Sequence, residues 1–83
     1  MVYVDKLTFY GKSEGYWAHM WADTTCELHV FAEKIGMKLA WFQDHPIHPH
    51  YDLRKSKYLL AIQQGAKIYS YKQFLLDRGK HDQ

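Results

Sequence analysis

Apolar positions change period several times along this chain, and each change marks an element. From Leu28 the apolar residues Leu28, Phe31, Ala32 and Ile35 fall at i, i+3, i+4 and i+7, which places them on one face of a helix. Thr24 stands where an N-cap is needed, Glu27 three residues later completes a capping-box pattern, and Gly36 supplies a left-handed stop. A second helix is expected after Asp52, a good N-cap, running through Leu59, Leu60 and Ile62 to Gly65. A third begins at Ser70 with Gln73 in the capping-box position, buries Phe74 and Leu75, and ends at Gly79.

Between these helices lie shorter runs with the look of strands: Val2-Tyr3-Val4, Tyr16 to Ala22, Lys38 to Gln43 and Ala66 to Tyr69. The polar stretch from Gly11 to Gly15 reads as a turn between the first two. The resulting order is β-β-α-β-α-β-α. Strands joined by crossover helices are as a rule parallel and right-handed. The pattern therefore predicts one small α/β domain over residues 1–79, with a largely parallel sheet of about four strands. Residues 80–83 are expected to be a frayed tail.

Composition supports this picture. Eighty-three residues make one domain near the small end of what folds alone. With 17% aromatics, rings such as Trp21, Phe31, Trp41, Phe42 and Phe74 are expected to bury much area per residue ordered. A single cysteine, Cys26, excludes an internal disulfide and fits a reducing compartment. No apolar run approaches the roughly 20 residues of a membrane span, and the first residues lack a signal-peptide pattern. A cytoplasmic protein is expected. The net charge of +2 is too small to argue for nucleic acid.

One stretch is not explained by folding needs. Residues 44–52 hold three histidines (His45, His48, His50) and two aspartates (Asp44, Asp52), spaced by Pro46 and Pro49. Histidine and aspartate are poor core residues, and prolines lower the entropic cost of holding polar groups in place. In an open parallel sheet, ligands bind beyond the carboxyl ends of the strands. Asp5, Asp23, Asp44 with His45, and Ser70 would all gather at that edge. His19 shares a strand face with Trp17, Trp21 and Asp23 by period-two alternation.

Imidazole and carboxylate suit zinc, manganese and similar divalent ions, and three protein ligands plus water make an open catalytic site. His48 and His50 point to similar sides of an extended loop, with His45, Asp5 or Asp44 completing the set. Asp44 and His50 are candidates for acid–base work, Lys57 for neutralising charge, Arg54 for anion contact, and Tyr51 for stacking a ring. Ordinary roles compete: a helix cap for Asp52, an Asx-turn for Asp44, and a solvated helix face for Arg54. Gly11-Lys12-Ser13 lacks the rest of a phosphate-binding loop and reads as a turn. Cys26 has no basic partner in sequence to activate it.

Several segments together resemble a known family. These are Tyr3-Val4-Asp5; Asp23 to Gly36 with Glu27-Leu28-His29 and Phe31-Ala32 inside; Trp41-Phe42-Gln43; His48-Pro49-His50-Tyr51-Asp52-Leu53; and Gly65-Ala66. They are similar to the small bacterial and phage family catalogued as domain of unknown function 4031, over nearly all of the chain to about Ser70. The resemblance implies a complete small protein of bacterial or phage origin and matches Lys57 to a basic position. It brings no activity or cofactor with it.

Three functional expectations follow. One is metal-assisted hydrolysis of a phosphoester or nucleotide-type substrate. Another is a binding module that holds a nucleotide or phosphorylated ligand without turnover, such as a phage protein sequestering a host signal. The third is a protein-interaction domain or homo-oligomer whose surplus tyrosines serve an interface.

Overall fold

Alternation of buried and exposed side chains decides this sheet. The computed structural model describes residues 1–81, with side chains described as far as Asp77. Its strands are β1 (Val2–Val4), β2 (Thr8–Phe9), β3 (Tyr16–Ala22), β4 (Phe42–Gln43), β5 (His50–Arg54) and β6 (Lys67–Ile68). Its helices are α1 (Thr25–Lys34), α2 (Lys55–Gln63) and α3 (Tyr71–His81). The strands form one sheet in the order β4-β5-β3-β1-β6, with β2 paired to β3 off that path.

The expected parallel four-stranded sheet is corrected on both counts. Among the described residues there are six strands, and of their pairings only β1 with β6 is parallel. The reason lies in residues 44–49, which reverse the chain so that β5 returns antiparallel to both β4 and β3. Both prolines stay in this reversal, ahead of the β5 ladder, where a missing N–H costs nothing. Inside β5, Tyr51 and Leu53 are buried while His50, Asp52 and Arg54 alternate to the other face.

Other boundaries move for local reasons. Lys38 to Gln43 is mostly a 3₁₀ turn (Leu39–Trp41), so Trp41 is 46% exposed and not a core ring. Asp52 does not cap α2. That helix starts at Lys55 with Arg54 in the capping position and no side-chain cap bond. Leu75 is exposed, and α3 runs through Gly79. The expected frayed tail, residues 80–83, lies outside the residues whose side chains are described.

The first helix keeps its predicted start. The Thr24 hydroxyl accepts the Glu27 N–H at 3.2 Å, while the Glu27 carboxylate pairs with the Met1 amino group. Gly36 takes φ +81°, letting Met37 N–H close on the Ala32 carbonyl at 2.8 Å. The predicted turn at Gly11–Gly15 closes the β2–β3 hairpin.

Helices α1 and α2 cover one sheet face, where Val4, Met20, Leu28, Ile35, Leu53 and Ala61 are almost fully buried. Burying a side chain such as Leu53 stabilises by roughly 1.5–3 kcal/mol. The opposite face is only part-covered. Phe74 of α3 sits 5.0 Å from the Tyr3 ring and 5.7 Å from the Trp21 ring. The rest of that face stays open, and it carries the polar side chains.

Candidate metal centre

Period-two alternation on three adjacent strands brings four polar residues together on the open face. Asp5 follows β1, His19 lies in β3, and His50 and Asp52 lie in β5, where His19 is directly opposite Asp52. The side-chain atoms of His19, His50 and Asp52 approach within 4.8 Å of one another. His50 Nε2 is 3.4 Å from Asp52 Oδ1, and His19 Nε2 is 3.8 Å from the same oxygen.

What the other ring nitrogens do gives this group its chemistry. Asp5 accepts twice from one residue: Oδ1 takes the His19 backbone N–H at 2.7 Å, and Oδ2 lies 2.7 Å from His19 Nδ1. Nδ1 of His50 lies 2.6 Å from the His48 carbonyl oxygen. Carboxylate and carbonyl oxygens only accept, so both Nδ1 atoms carry hydrogen. In the neutral imidazoles, both Nε2 lone pairs then face the Asp52 carboxylate. Histidines that ligate metals are oriented in this way, with the far nitrogen donating to a carboxylate or backbone carbonyl. Bonds of about 2.0–2.1 Å in a tetrahedral site place ligands about 3.3 Å apart, near the two distances to Asp52. Two histidines and one carboxylate would leave further coordination positions for water or substrate.

The electrostatics set two of the histidines apart. The Asp5 hydrogen bond holds the His19 pKa above its ordinary value, against the opposing effect of burial, with the Asp5 and Asp52 charges adding to the rise. His48 behaves oppositely: burial first, then the neighbouring His50 and His19, lower its pKa to about 4. Its neutral ring stacks on Tyr71 at 3.6 Å and on His50 at 4.8 Å. His48 Nε2 and Trp21 Nε1 are buried without a hydrogen-bond partner, and their rings meet edge-on at 5.5 Å.

Of the residues singled out in sequence, the structure gathers some and separates others. His50 is in the group, and Asp5 stands behind it as the orienting partner of His19. His48 supports His50 through its carbonyl and its ring. His45 lies in the reversal, where its Nδ1 accepts the Ile47 and His48 N–H groups at 3.3 and 3.2 Å. Asp44 is exposed just beyond β4. The Lys57 ammonium donates to the Ile35 carbonyl at 2.8 Å, closing the end of α1. Tyr51 is 1% exposed, with its hydroxyl 2.9 Å from His29 Nδ1, so its ring belongs to the core. The Arg54 guanidinium lies 4.7 Å from the Trp17 ring. Cys26 is exposed.

Two members of the group lie outside the expected ligand set: the sequence places His19 only on a strand face, and it favours Asp52 as a helix cap ahead of a ligand. The signal for them was alternation. Period two puts His19 on one face of β3 with Trp17 and Trp21, and Asp52 on one face of β5 with His50 and Arg54; pairing those two faces would have joined them. The group accordingly sits on a sheet face, not at the carboxyl edge expected of a parallel sheet.

Beside Asp52 the open face deepens into a cleft of about 510 Å³, bounded by Trp17, Arg54, Trp41 and the first turn of α2. A second hollow, of about 330 Å³, reaches His19 and Asp52 from the Tyr10 and Glu14 side.

The family model described as "Protein of unknown function (DUF4031)" matches residues 2–79. The chain belongs to this family. All four residues of the group lie within the DUF4031 match, as do β1 through β6. No curated protein and no solved structure matches the chain. Among the described residues, no helix is long and apolar enough to cross a membrane.

Proposed function

We propose that this DUF4031 protein holds a divalent metal ion on His19, His50 and Asp52 and uses it to hydrolyse a phosphoester. The observation that carries this reading is the pair of oriented imidazoles: each Nδ1–H is committed to an oxygen, and each Nε2 is aimed at one carboxylate. A divalent ion bound there would polarise a phosphoryl oxygen and bring the pKa of a water toward about 7. The protein's own groups supply the rest. Asp5 keeps the His19 lone pair facing inward and balances positive charge, and the His48 carbonyl does the same for His50. Arg54, two residues along β5 from Asp52 and on the same face, neutralises charge on the phosphoryl oxygens. In the hydrolysis, water oxygen bonds to phosphorus, the bond to the leaving oxygen breaks, and that oxygen takes up a proton. Zinc and manganese both suit two imidazoles and a carboxylate.

The test is elemental analysis of protein purified without chelator, together with hydrolysis of p-nitrophenyl phosphate and bis-p-nitrophenyl phosphate. One metal per chain and measurable turnover are expected in the parent, with both lost in His50→Ala and Asp52→Asn. Turnover that survives chelation and both substitutions would refute the reading. Stoichiometric metal without turnover of any phosphoester would favour the second reading, a binding module for phosphorylated ligands at the same face.

A further inference from the structure

The open face offers more than a place for a metal. Tryptophan is usually well buried, yet Trp17 and Trp41 both line the cleft beside Asp52, and Trp41 is 46% exposed. The Trp17 ring is held in place. Trp17 Nε1–H donates to the Glu14 carbonyl at 2.7 Å, and the Arg54 guanidinium lies over the ring at 4.7 Å. Trp41 rides on the 3₁₀ turn that forms the facing wall, with the Lys38 ammonium 5.5 Å from its ring. Among the residues that line the cleft Asp52 carries the one carboxylate, and it belongs to the proposed metal group. Aromatic surface, the Arg54 guanidinium and a volume of about 510 Å³ match a small ligand with a flat ring and an anionic group.

The geometry points to a nucleoside monophosphate, or an aryl phosphoester of that size, as the ligand of this cleft. Its ring lies against Trp41, its phosphoryl group contacts Arg54, and Asp52 marks the end of the cleft that meets the metal group. The inference rests on the metal-dependent phosphoesterase reading for its chemistry, but ring binding is measurable without metal. Charge complementarity chooses the occupant: Arg54 lines the cleft between the two rings' walls and Lys38 lies beside Trp41, so the ligand that suits them is an anion bearing a ring. A cleft of this size seats one nucleotide, so a free mononucleotide is the source, not an internal segment of a strand.

Isothermal titration with adenosine 5′-monophosphate, adenosine, inorganic phosphate and a short oligothymidylate tests this. It is run on chelator-treated protein and on protein loaded with zinc or manganese. The monophosphate is expected to bind at least about tenfold tighter than adenosine or phosphate alone, and no weaker than the oligonucleotide. Arg54→Ala and Trp41→Ala should each weaken it by about 5- to 100-fold, Trp41→Phe should restore most of the loss, and metal uptake and melting temperature should hold in all three. Ring-dependent binding in a protein that takes up no metal would uphold the cleft and refute the metal centre. Normal metal uptake with phosphate bound as tightly as the monophosphate, or indifference to Trp41→Ala, would overturn the cleft and leave the metal reading standing. Tighter binding of the oligonucleotide would overturn the mononucleotide as ligand.

Discussion

On the proposed metal site, replacing Asp5 by asparagine is expected to weaken metal binding by releasing His19, which Asp5 orients from outside the ligand set. The two carboxylate oxygens accept from two donors of His19, the backbone N–H and Nδ1–H, each at 2.7 Å. Asparagine has one oxygen. If that oxygen stays on the backbone N–H, the amide NH₂ faces Nδ1 and can bond it only as an acceptor. The imidazole then carries its hydrogen on Nε2, the atom aimed at Asp52, and the lone pair needed for coordination is gone. If the amide flips, two donors meet at the backbone instead, and a part-buried hydrogen bond worth about 1–3 kcal/mol is lost. The expected loss of metal affinity is about 10- to 100-fold, or roughly 1.4–2.7 kcal/mol, in the range found when orienting partners of metal-bound histidines are removed. Competition against a chromogenic zinc chelator at pH 7.5 measures it, with thermal unfolding of the metal-free proteins as the control for folding. His19→Ala should lose more than Asp5→Asn, since it removes a ligand outright. An asparagine variant that folds normally and binds zinc like the parent would show that the Asp5–His19 pair does not orient a ligand.

Other consequences can be checked by unfolding measurements. Metal at 100 times its dissociation constant should stabilise the parent by about 2.7 kcal/mol and leave a His19→Ala/His50→Ala variant unmoved; equal stabilisation of both would remove the site from this face. Lys57→Ala should cost about 1–2 kcal/mol by uncapping the Ile35 carbonyl, and should not change metal affinity. Gly36→Ala should cost a similar amount, because φ is +81° there and an added Cβ would lie 2.8 Å from the Lys57 ammonium. Combined, the two should cost less than their sum, since one removes the atom the other strikes; full additivity in urea titrations would contradict the shared contact. In the metal-free protein, His48 has its pKa lowered to about 4 from 6.5, so its contribution is present above pH 6.5 and lost as pH falls toward 4. His48→Phe keeps a ring against Tyr71 and should flatten the decline in melting temperature over that window. Parallel pH curves for parent and variant would show that His48 does not titrate as its burial requires.

Local pattern by itself determined much of this protein. The 3.6-residue stripe from Leu28 to Ile35, the Thr24 cap and the Gly36 stop fixed α1, because they are set within one helix and need no partner. The Gly11–Gly15 turn was legible for the same reason. So was the concentration of histidine and aspartate around His50, a set of residues that a hydrophobic core does not call for. What tertiary structure decided was direction and company. Whether residues 44–52 run on as a loop or turn back as a strand depends on pairing with β3 and β4, residues far away in sequence. Once β5 turned back, Asp52 became a strand residue facing His19 and not a helix cap, and Tyr51 turned inward. A ligand set is a meeting of side chains from separate strands, and strand register is fixed only when the whole face is packed. That is why the sequence could point to the neighbourhood of His50, and only the folded sheet could bring His19 and Asp52 beside it.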